Sequence, residues 1–282
     1  MKTIRTVKKL RAELANLRAR GGRIALVPTM GNLHAGHLAL VAEARALADH
    51  VVASIFVNPT QFGPGEDFAS YPRTLERDRR QLAAAGADLL FAPPVDEIYP
   101  DGATDGTVVC VPGLSTILCG ASRPGHFAGV ASVVTRLFNI VQPDVAVFGE
   151  KDYQQLLVIR RLQADLHLPI RIVGVPTQRN VDGLALSSRN QYLSAAELQR
   201  APELHRALVD CAGQLQRRTR SLAALEKQGL ARLTAAGFRP DYFVIRNAAD
   251  LARPGKGSRE LVVLAAARLG RTRLIDNVRA RV

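Results

Sequence analysis

Two histidines three residues apart, His34 and His37, lie in the stretch PTMGNLHAGH at residues 28–37. The stretch follows a predicted strand at 24–27 and precedes a predicted helix at 36–48, which is the phosphate-binding position of a parallel α/β sheet. Histidines at this spacing can face one ligand and donate hydrogen bonds to phosphate oxygens, or protonate a departing pyrophosphate as imidazolium. Such donors stabilise the charge that builds on an α-phosphate. Outside this context, the pair would more often be structural or a weak metal site.

Two glycines in the same stretch, Gly31 and Gly36, would let the backbone approach a phosphate closely. The N–H groups at the start of the following helix would attract the same anion. We therefore predict phosphate contacts from both the backbone and the two imidazoles.

A second polar stretch, Leu186-Ser187-Ser188-Arg189-Asn190, follows a turn at Asp182-Gly183. Hydroxyl groups and a guanidinium fork can grip β- and γ-phosphates. By itself such a sequence is usually a polar loop or a helix cap. Together with the histidine stretch, it favours a phosphate site.

A third stretch, FGEKDYQQ at residues 148–155, lies where a predicted strand ends and a helix begins. Lys151 could neutralise phosphate charge, and Gln155 could reach an organic substrate. Asp152 could accept from a ribose hydroxyl or simply cap the helix. Because the carboxyl ends of parallel strands share one sheet edge, we expect this stretch near the first one.

Strands and helices alternate through the first part of the chain, which predicts an α/β fold with a Rossmann-like parallel sheet of about five strands. An amphipathic helix at 4–17 precedes them. The predicted strands are 24–27, 51–57, 88–92, 144–148 and 170–175, and the predicted helices are 36–48, 74–85, 130–141 and 153–166.

The pattern changes after Pro176, where two helices (195–217 and 222–236) precede two strands (241–247 and 260–269). We therefore predict a larger domain at 1–176 and a smaller α+β domain at 177–282. The last twelve residues receive no assignment beyond packing.

Composition narrows the function classes. The net charge of +13 favours anionic partners, but only 5% of residues are aromatic and there is no Trp, which disfavours nucleic acid as the main partner. The three cysteines form no metal-ligand pattern and suit a reducing cytosol. No apolar run has the length of a membrane span and no secretory signal is evident, so we expect no membrane association and a cytoplasmic protein.

The HxGH pattern at residues 34–37 resembles the signature of the nucleotidyltransferase superfamily. The stretches PTMGNLHAGH, FVNPTQF, RPGHFAGV, FGEKDYQQL and DGLALSSRN, taken together in this order, resemble the pantothenate synthetase family over residues 23–193. The resemblance implies a Rossmann-like nucleotidyltransferase domain with a smaller C-terminal lid, in a cytoplasmic homodimer.

The resemblance also implies the reaction. Pantoate attacks the α-phosphate of Mg-ATP to give pantoyl adenylate and pyrophosphate, and β-alanine then displaces AMP to give pantothenate. ATP is thus a cosubstrate, Mg²⁺ is required, and the partners are small molecules. No Ser, Cys or Lys lies beside an obvious activating base, so we expect no covalent acyl-enzyme.

The family's site residues transfer by motif. His37 would be the proton donor and His34 its phosphate-binding partner, with Lys151, Ser187, Ser188 and Arg189 completing the catalytic set. Gln61 and Gln155 would bind pantoate, and Asp78 would face magnesium. The residues expected to contact ATP are Met30, Gly31, Asn32, Leu33, His34, Ala35, Gly36, His37, Gly149, Glu150, Lys151, Asp152, Gln178, Leu186, Ser187, Ser188 and Arg189.

The chain departs from the family pattern at Leu186, where Met is common, and at Ala35, where Glu is common; neither change removes a phosphate donor. Two other functions stay open at this point. One is an adenylyltransferase that stops at the nucleotidyl product, although the NPTQF and GEKDYQQ stretches favour the ligase. The other is a nucleic-acid-binding protein, whose affinity would fall steeply with salt.

Overall fold

The computed structural model describes residues 1–103, 105–217 and 220–282, and the chain divides into two compact units. The first comprises residues 1–150 and 158–176, and the second comprises residues 151–157 and 177–282. Residues 151–157, which the sequence analysis assigned to the first domain, thus belong to the second unit. The division of labour between a substrate-binding domain and a lid stays a prediction.

The first unit contains a six-stranded parallel sheet with the order β1-β4-β3-β2-β5-β6. Strand β2 has β3 on one side and β5 on the other, so the direction of chain progression reverses between β2 and β5. Ligands of open α/β sheets bind at the carboxyl ends of strands at such a switch point. The six strands are β1 (Lys2–Ile4), β2 (Ile24–Thr29), β3 (His50–Ile55), β4 (Leu89–Phe91), β5 (Val145–Gly149) and β6 (Arg171–Val175).

The helices alternate with these strands and then continue into the second unit. Three 3₁₀ helices, at Pro59–Gln61, Glu150–Asp152 and Ser188–Tyr192, carry predicted site residues. The α-helices are α1 (Val7–Ala19), α2 (Ala35–Leu47), α3 (Leu75–Ala84), α4 (Val95–Ile98), α5 (Cys119–Ser122), α6 (His126–Val141), α7 (Tyr153–Asp165), α8 (Ala195–Arg200), α9 (Glu203–Gln216) and α10 (Leu222–Ala235).

The central strands are apolar on both faces because helices cover both sides of the sheet. Ala25, Leu26 and Val27 of β2 and Val145 and Val147 of β5 are fully buried. The loops that follow β2 and β5 are therefore held on a rigid platform.

The second unit is built on the antiparallel sheet β7-β8-β9, whose strands are Arg239–Asn247, Glu260–Leu269 and Thr272–Arg281. Its core combines strand residues such as Val263 with helix residues such as Leu208 and Leu233, all fully buried. The predicted α/β class with a smaller α+β part is confirmed.

Some predicted elements differ from the structure. The helix predicted at 4–17 begins only at Val7, because Ile4 is the last residue of β1, and the unassigned tail forms β9. The helix predicted at 195–217 is broken at Pro202, because proline has no N–H to continue the helical bonds. The helix predicted at 130–141 begins earlier, at His126. Within the described ranges, no helix is long and apolar enough to cross a membrane.

Candidate functional site

The loop between β2 and α2, residues 30–34, carries the first predicted motif. Gly31 has a φ of 82° and Asn32 has a φ of 50°, so two successive residues adopt the left-handed conformation. Glycine adopts it freely, whereas asparagine does so at some cost. This pair turns the chain sharply from the strand into the helix.

His34 and His37 cap the start of α2 reciprocally. The Nδ1 atom of His34 accepts from the N–H of Gly36 at 3.2 Å, and the Nδ1 atom of His37 accepts from the N–H of His34 at 3.3 Å. The two ring centroids lie 4.1 Å apart. Because both Nδ1 atoms accept, the neutral rings carry their hydrogen on Nε2, which makes Nε2–H the donor of each ring.

The backbone N–H groups of this loop already have partners within the protein. Gly31 N donates to Thr29 Oγ1 at 3.2 Å, and Asn32 N and Leu33 N donate to Asp78 at 2.8 and 3.0 Å. The N–H groups of Gly36 and His34 are used in the histidine caps. These bonds hold the loop within the protein, and the phosphate contacts expected of its backbone and side chains stay predictions.

Asp78, expected to face magnesium, is a fully buried residue of α3. Besides the two loop N–H groups, its carboxylate accepts from Thr74 Oγ1 at 3.0 Å. In the described part of the chain, no three His, Cys, Asp or Glu residues are grouped as metal ligands. Because a bound Mg²⁺ ion usually keeps several water molecules, the enclosed surroundings of Asp78 suit a structural anchor better than a ligand of Mg²⁺.

Gln61 lies directly against the loop at residues 30–34. Its Nε2 is 3.1 Å from the sulfur of Met30, and its Oε1 accepts from Asn58 Nδ2 at 3.0 Å. Asn58 is buried and is itself held by Tyr99, whose hydroxyl donates to Asn58 Oδ1 at 2.7 Å. The acceptor end of the Gln61 amide is thereby fixed, and its NH₂ end is directed towards Met30.

The backbone around Gln61 is held by the stretch RPGHFAGV. His126 Nδ1 lies 2.8 Å from Gln61 O, and Arg123 Nη2 donates to the same oxygen at 3.3 Å. Arg123 also forms a bidentate pair with Glu66, at 2.7 and 2.5 Å. Burial raises the pKa of the Glu66 carboxyl, but the bonds and charge of Arg123 outweigh it and leave the pKa below its ordinary value.

Helix α6 reaches this region by a close backbone contact. A Cβ atom on Gly129 would lie 2.2 Å from Thr60 O and 2.7 Å from Gln61 N. Only glycine lets the helix approach the Pro59–Gln61 turn so closely, and Gly129 O also accepts from Asn58 Nδ2 at 3.2 Å.

The second unit carries the other residues that are predicted to contact phosphate. Lys151 lies in a 3₁₀ helix, and its carbonyl accepts from Asn277 Nδ2 of β9 at 3.0 Å. The loop at 177–190 is closed by Leu186 N donating to Gln178 O at 2.9 Å. Ser187 Oγ accepts from Arg189 N at 3.3 Å and so caps the 3₁₀ helix that begins at Ser188.

That loop is anchored to β9 by a buried ion pair. Arg179 donates to both oxygens of Asp276, at 2.6 and 2.8 Å, and also to Gly183 O at 3.1 Å. His205 Nδ1 lies 3.4 Å from Asp276 Oδ2. Burial raises the pKa of Asp276, but the His205 contact, the hydrogen bonds and charge of Arg179 and the N–H of Asn277 together outweigh it, so the pKa lies below its ordinary 3.8.

Comparison with known proteins assigns the chain to a family. The family model described as pantoate-beta-alanine ligase matches residues 2–279. The chain belongs to the pantoate-beta-alanine ligase family. Pantothenate synthetases of Pseudomonas putida and Azotobacter vinelandii are each 59% identical over 278 residues, which cover 99% of this chain and 97% and 98% of theirs.

Solved structures agree with this pantoate-beta-alanine ligase assignment. The crystal structure of pantothenate synthetase from Thermus thermophilus has a TM-score of 0.92 and 51% identity, covering 99% of both chains. A pantoate-beta-alanine ligase from Francisella tularensis, complexed with beta-gamma ATP and beta-alanine, has a TM-score of 0.82 and 33% identity, covering 99% of this chain and 97% of that one.

The predicted ligase residues fall into two groups. Gly31 to His37, Met30, Gln61 and Asp78 lie in the first unit, as do Gly149 at the end of β5 and Glu150 just after it. Lys151, Asp152 and half-buried Gln155, with exposed Gln178 and half-buried Leu186 to Arg189, lie in the second. Their individual roles stay predictions.

Four residues that support Gln61 were not predicted from the sequence: Asn58, Tyr99, Arg123 and His126. Three of them lie inside stretches that resembled the ligase family, so the motifs carried the signal. Tyr99 lies 41 residues from Asn58 and outside every motif, and only the fold brings the two together.

Proposed function

We propose that this chain condenses (R)-pantoate with β-alanine, converting ATP to AMP and pyrophosphate through an enzyme-bound pantoyl adenylate. Membership of the ligase family establishes an ATP-dependent ligase. The bound beta-gamma ATP and beta-alanine of the Francisella tularensis relative support ATP and β-alanine as ligands here.

The observation that carries the proposal is the placement of Gln61 against the histidine loop. Its amide nitrogen is 3.1 Å from the sulfur of Met30, four residues before His34. An acid held by that amide would lie beside the loop whose imidazoles are proposed to contact phosphate. Formation of an acyl adenylate requires this proximity of carboxylate and α-phosphate.

In the first step, a pantoate carboxylate oxygen attacks the α-phosphorus of ATP, and the bond from that phosphorus to the bridging oxygen of pyrophosphate breaks. Charge builds on the phosphate oxygens, where the Nε2–H groups of His34 and His37 would donate hydrogen bonds.

In the second step, the β-alanine amine attacks the acyl carbon of the adenylate. The acyl carbon–oxygen bond breaks, AMP leaves, and the amine loses a proton as the amide forms. The rigid support of Gln61 by Asn58 would hold the acyl group while water is excluded. In line with the earlier expectation, no covalent acyl-enzyme enters this scheme.

Further parts of the proposal rest on the family resemblance. We propose that Mg²⁺ accompanies ATP, bound mainly by phosphate oxygens, as is usual for this ion. Lys151, Ser187, Ser188 and Arg189 would supply positive charge and hydroxyls to the phosphates, and Gln155 would contact pantoate. A cytoplasmic homodimer, a substrate-binding first domain and a lid-like second domain complete the proposal.

The test is pyrophosphate release from Mg-ATP, with AMP and pantothenate measured in parallel. Pantoate alone should release about one equivalent of pyrophosphate per site, since the adenylate stays bound. Addition of β-alanine should then produce many turnovers, with AMP and pantothenate appearing in equal amounts.

A phosphorylated acceptor such as phosphopantetheine serves as the control for the alternative adenylyltransferase. Pyrophosphate released with that acceptor but not with pantoate would overturn the ligase proposal. AMP formed without pantothenate would overturn the second step alone.

A further inference from the structure

Asp78 is a fully buried acid whose surroundings do not match the role expected for it. Its side chain has no exposed surface, and its carboxylate accepts from Asn32 N at 2.8 Å, Leu33 N at 3.0 Å and Thr74 Oγ1 at 3.0 Å. A carboxylate offers about four lone-pair directions, so three protein donors fill most of its capacity. Little is left for a metal ion that also needs several waters.

The two N–H groups bound by Asp78 belong to the strained part of the histidine loop. Asn32 has a φ of 50° and follows Gly31 with a φ of 82°. A Cβ atom on Gly31 would lie 3.1 Å from both Asp78 Oδ2 and Ile55 Cγ2, so this turn is also tightly enclosed. A left-handed non-glycine residue persists only when its surroundings hold it.

The neighbouring residue on α3 strengthens the same attachment. Arg77 Nη2 donates to Asn32 Oδ1 at 2.5 Å, and Arg77 Nε lies 3.9 Å from Asp78 Oδ1. Both the backbone and the side chain of Asn32 are thus held from one helix. Because Leu33 directly precedes His34, any shift at Asn32 or Leu33 would displace the two imidazoles.

We infer that Asp78 is a positioning residue that holds the loop carrying His34 and His37 in its left-handed turn, and that it is not a magnesium ligand. The inference rests on the proposed function, since it assigns the loop to phosphate chemistry. Asp78 acts through backbone hydrogen bonds and contacts none of pantoate, β-alanine and ATP.

The test is Asp78→Asn in the full-length protein. The amide matches the carboxylate in size but presents an NH₂ group where one of the present donors needs an acceptor. We expect the rate of pantoate-dependent pyrophosphate release to fall on the order of 10²-fold, since small misplacements of catalytic groups have such effects. The Mg²⁺ concentration that gives half the maximal rate should stay unchanged.

A second readout does not depend on activity. Hydrogen exchange followed by mass spectrometry should show faster exchange in the peptide covering residues 30–40, with peptides from the second unit unchanged. Glu76→Gln is the matched control, because it makes the same charge change on α3 at a side chain that is 73% exposed. It should alter neither the rate nor the exchange.

Each contrary result has a definite meaning. A higher Mg²⁺ requirement with unchanged exchange at 30–40 would identify Asp78 as a metal ligand and overturn the inference. An unchanged rate, or faster exchange spread over both units, would also overturn it. If Asp78→Asn does not fold, Thr74→Val removes one of the three hydrogen bonds and should give a smaller increase in exchange at 30–40.

These results stay separable from the proposed function. If the unmodified protein releases no pyrophosphate with pantoate, the ligase proposal fails. Faster hydrogen exchange confined to residues 30–40 in Asp78→Asn would still show that Asp78 holds the loop. If the unmodified protein is active and Asp78→Asn behaves like Glu76→Gln, only the inference about Asp78 fails.

Discussion

At the scale of single residues, the structure constrains what the two histidines can do. Each Nδ1 accepts a backbone hydrogen bond at the start of α2, which fixes the tautomer and directs Nε2–H as the donor. His37 therefore presents Nε2–H, which we propose as a hydrogen-bond donor to a charged phosphate oxygen.

His37→Ala removes one of the two Nε2–H donors proposed to contact phosphate. Adenylate formation should slow about 10²- to 10³-fold, the usual cost of losing one donor to a developing oxyanion. The Kd for ATP should change far less, because the interaction strengthens in the transition state. Single-turnover pyrophosphate release and calorimetric ATP binding measure the two quantities.

His37→Asn separates the capping role from the phosphate role. Its amide oxygen can replace Nδ1 as the acceptor for the N–H of His34, so this variant should keep the helix start while losing most of the rate. Equal losses in rate and ATP affinity for His37→Ala would contradict the transition-state role and leave only a binding role.

At the scale of elements, the proposed pantoate site around Gln61 depends on how closely α6 approaches the Pro59–Gln61 turn. The contact is between backbones, and it places Gly129 O within 3.2 Å of Asn58 Nδ2. Asn58 then fixes the amide of Gln61. A chain of direct contacts thus links the position of α6 to the orientation of Gln61, the side chain proposed to bind pantoate.

Gly129→Ala should therefore disturb pantoate binding. Its Cβ would meet backbone atoms at 2.2 to 2.7 Å, so the helix or the turn must move. Overpacking of this kind costs about 1–3 kcal/mol, and we expect the KM for pantoate to rise about tenfold or more, with a smaller change in the KM for ATP. Steady-state kinetics with each substrate varied provides the measurement.

Gly213→Ala on α9 is the control, because its Cβ would find no atom closer than Arg217 Nη2 at 3.7 Å. Helix propensity alone should make this variant about 0.5–1 kcal/mol more stable, with unchanged kinetics. An unchanged KM for pantoate in Gly129→Ala would show that the close contact does not position Gln61.

At the scale of the whole molecule, the alternating strands and helices of the first unit are predicted well from the sequence. The first and last strands of the chain, β1 and β9, are not. Strands β2 and β5 are continuous apolar runs next to clear helical patterns, so their order and the position of the motifs follow directly. Strand β1 has only three residues, too few for a pattern to be distinguished from the helix that follows. Strand β9 was missed because Asp276 and Asn277 interrupt its apolar alternation although both are buried.

The motifs could be predicted because each is a short local stretch, whereas the residues that support the site come from distant parts of the chain. A local stretch such as PTMGNLHAGH shows its residue types and spacing directly. The partners of Asn32, Leu33 and Gln61 lie up to 65 residues away, and only the tertiary structure brings them into contact. The hydrogen bonds from Asn32 N and Leu33 N to Asp78, which lies 46 residues from Asn32, could not be predicted from the sequence for the same reason.

Asp276, one of the buried polar residues of β9, also affects the stability of the protein at acid pH. The His205 contact, the hydrogen bonds and charge of Arg179 and the N–H of Asn277 together outweigh burial and hold the pKa of Asp276 below its ordinary 3.8. A carboxyl with a lowered folded-state pKa contributes stability above its unfolded-state pKa, and the contribution is lost as pH falls through the folded value. Asp276 therefore stabilises the fold at neutral pH and progressively less below about pH 4.

We expect Asp276→Asn to lower the free energy of unfolding by about 3 kcal/mol at pH 7, because it leaves the largely buried Arg179 without its charged partner. The deficit relative to the unmodified protein should shrink as pH falls below 3.8, since that protein then loses the same interaction. Urea unfolding at a series of pH values measures this difference. Asp182→Asn, an exposed change in the loop that contains Arg179, should show no such trend. A deficit for Asp276→Asn that stays constant down to about pH 2 would contradict the assigned ion pair.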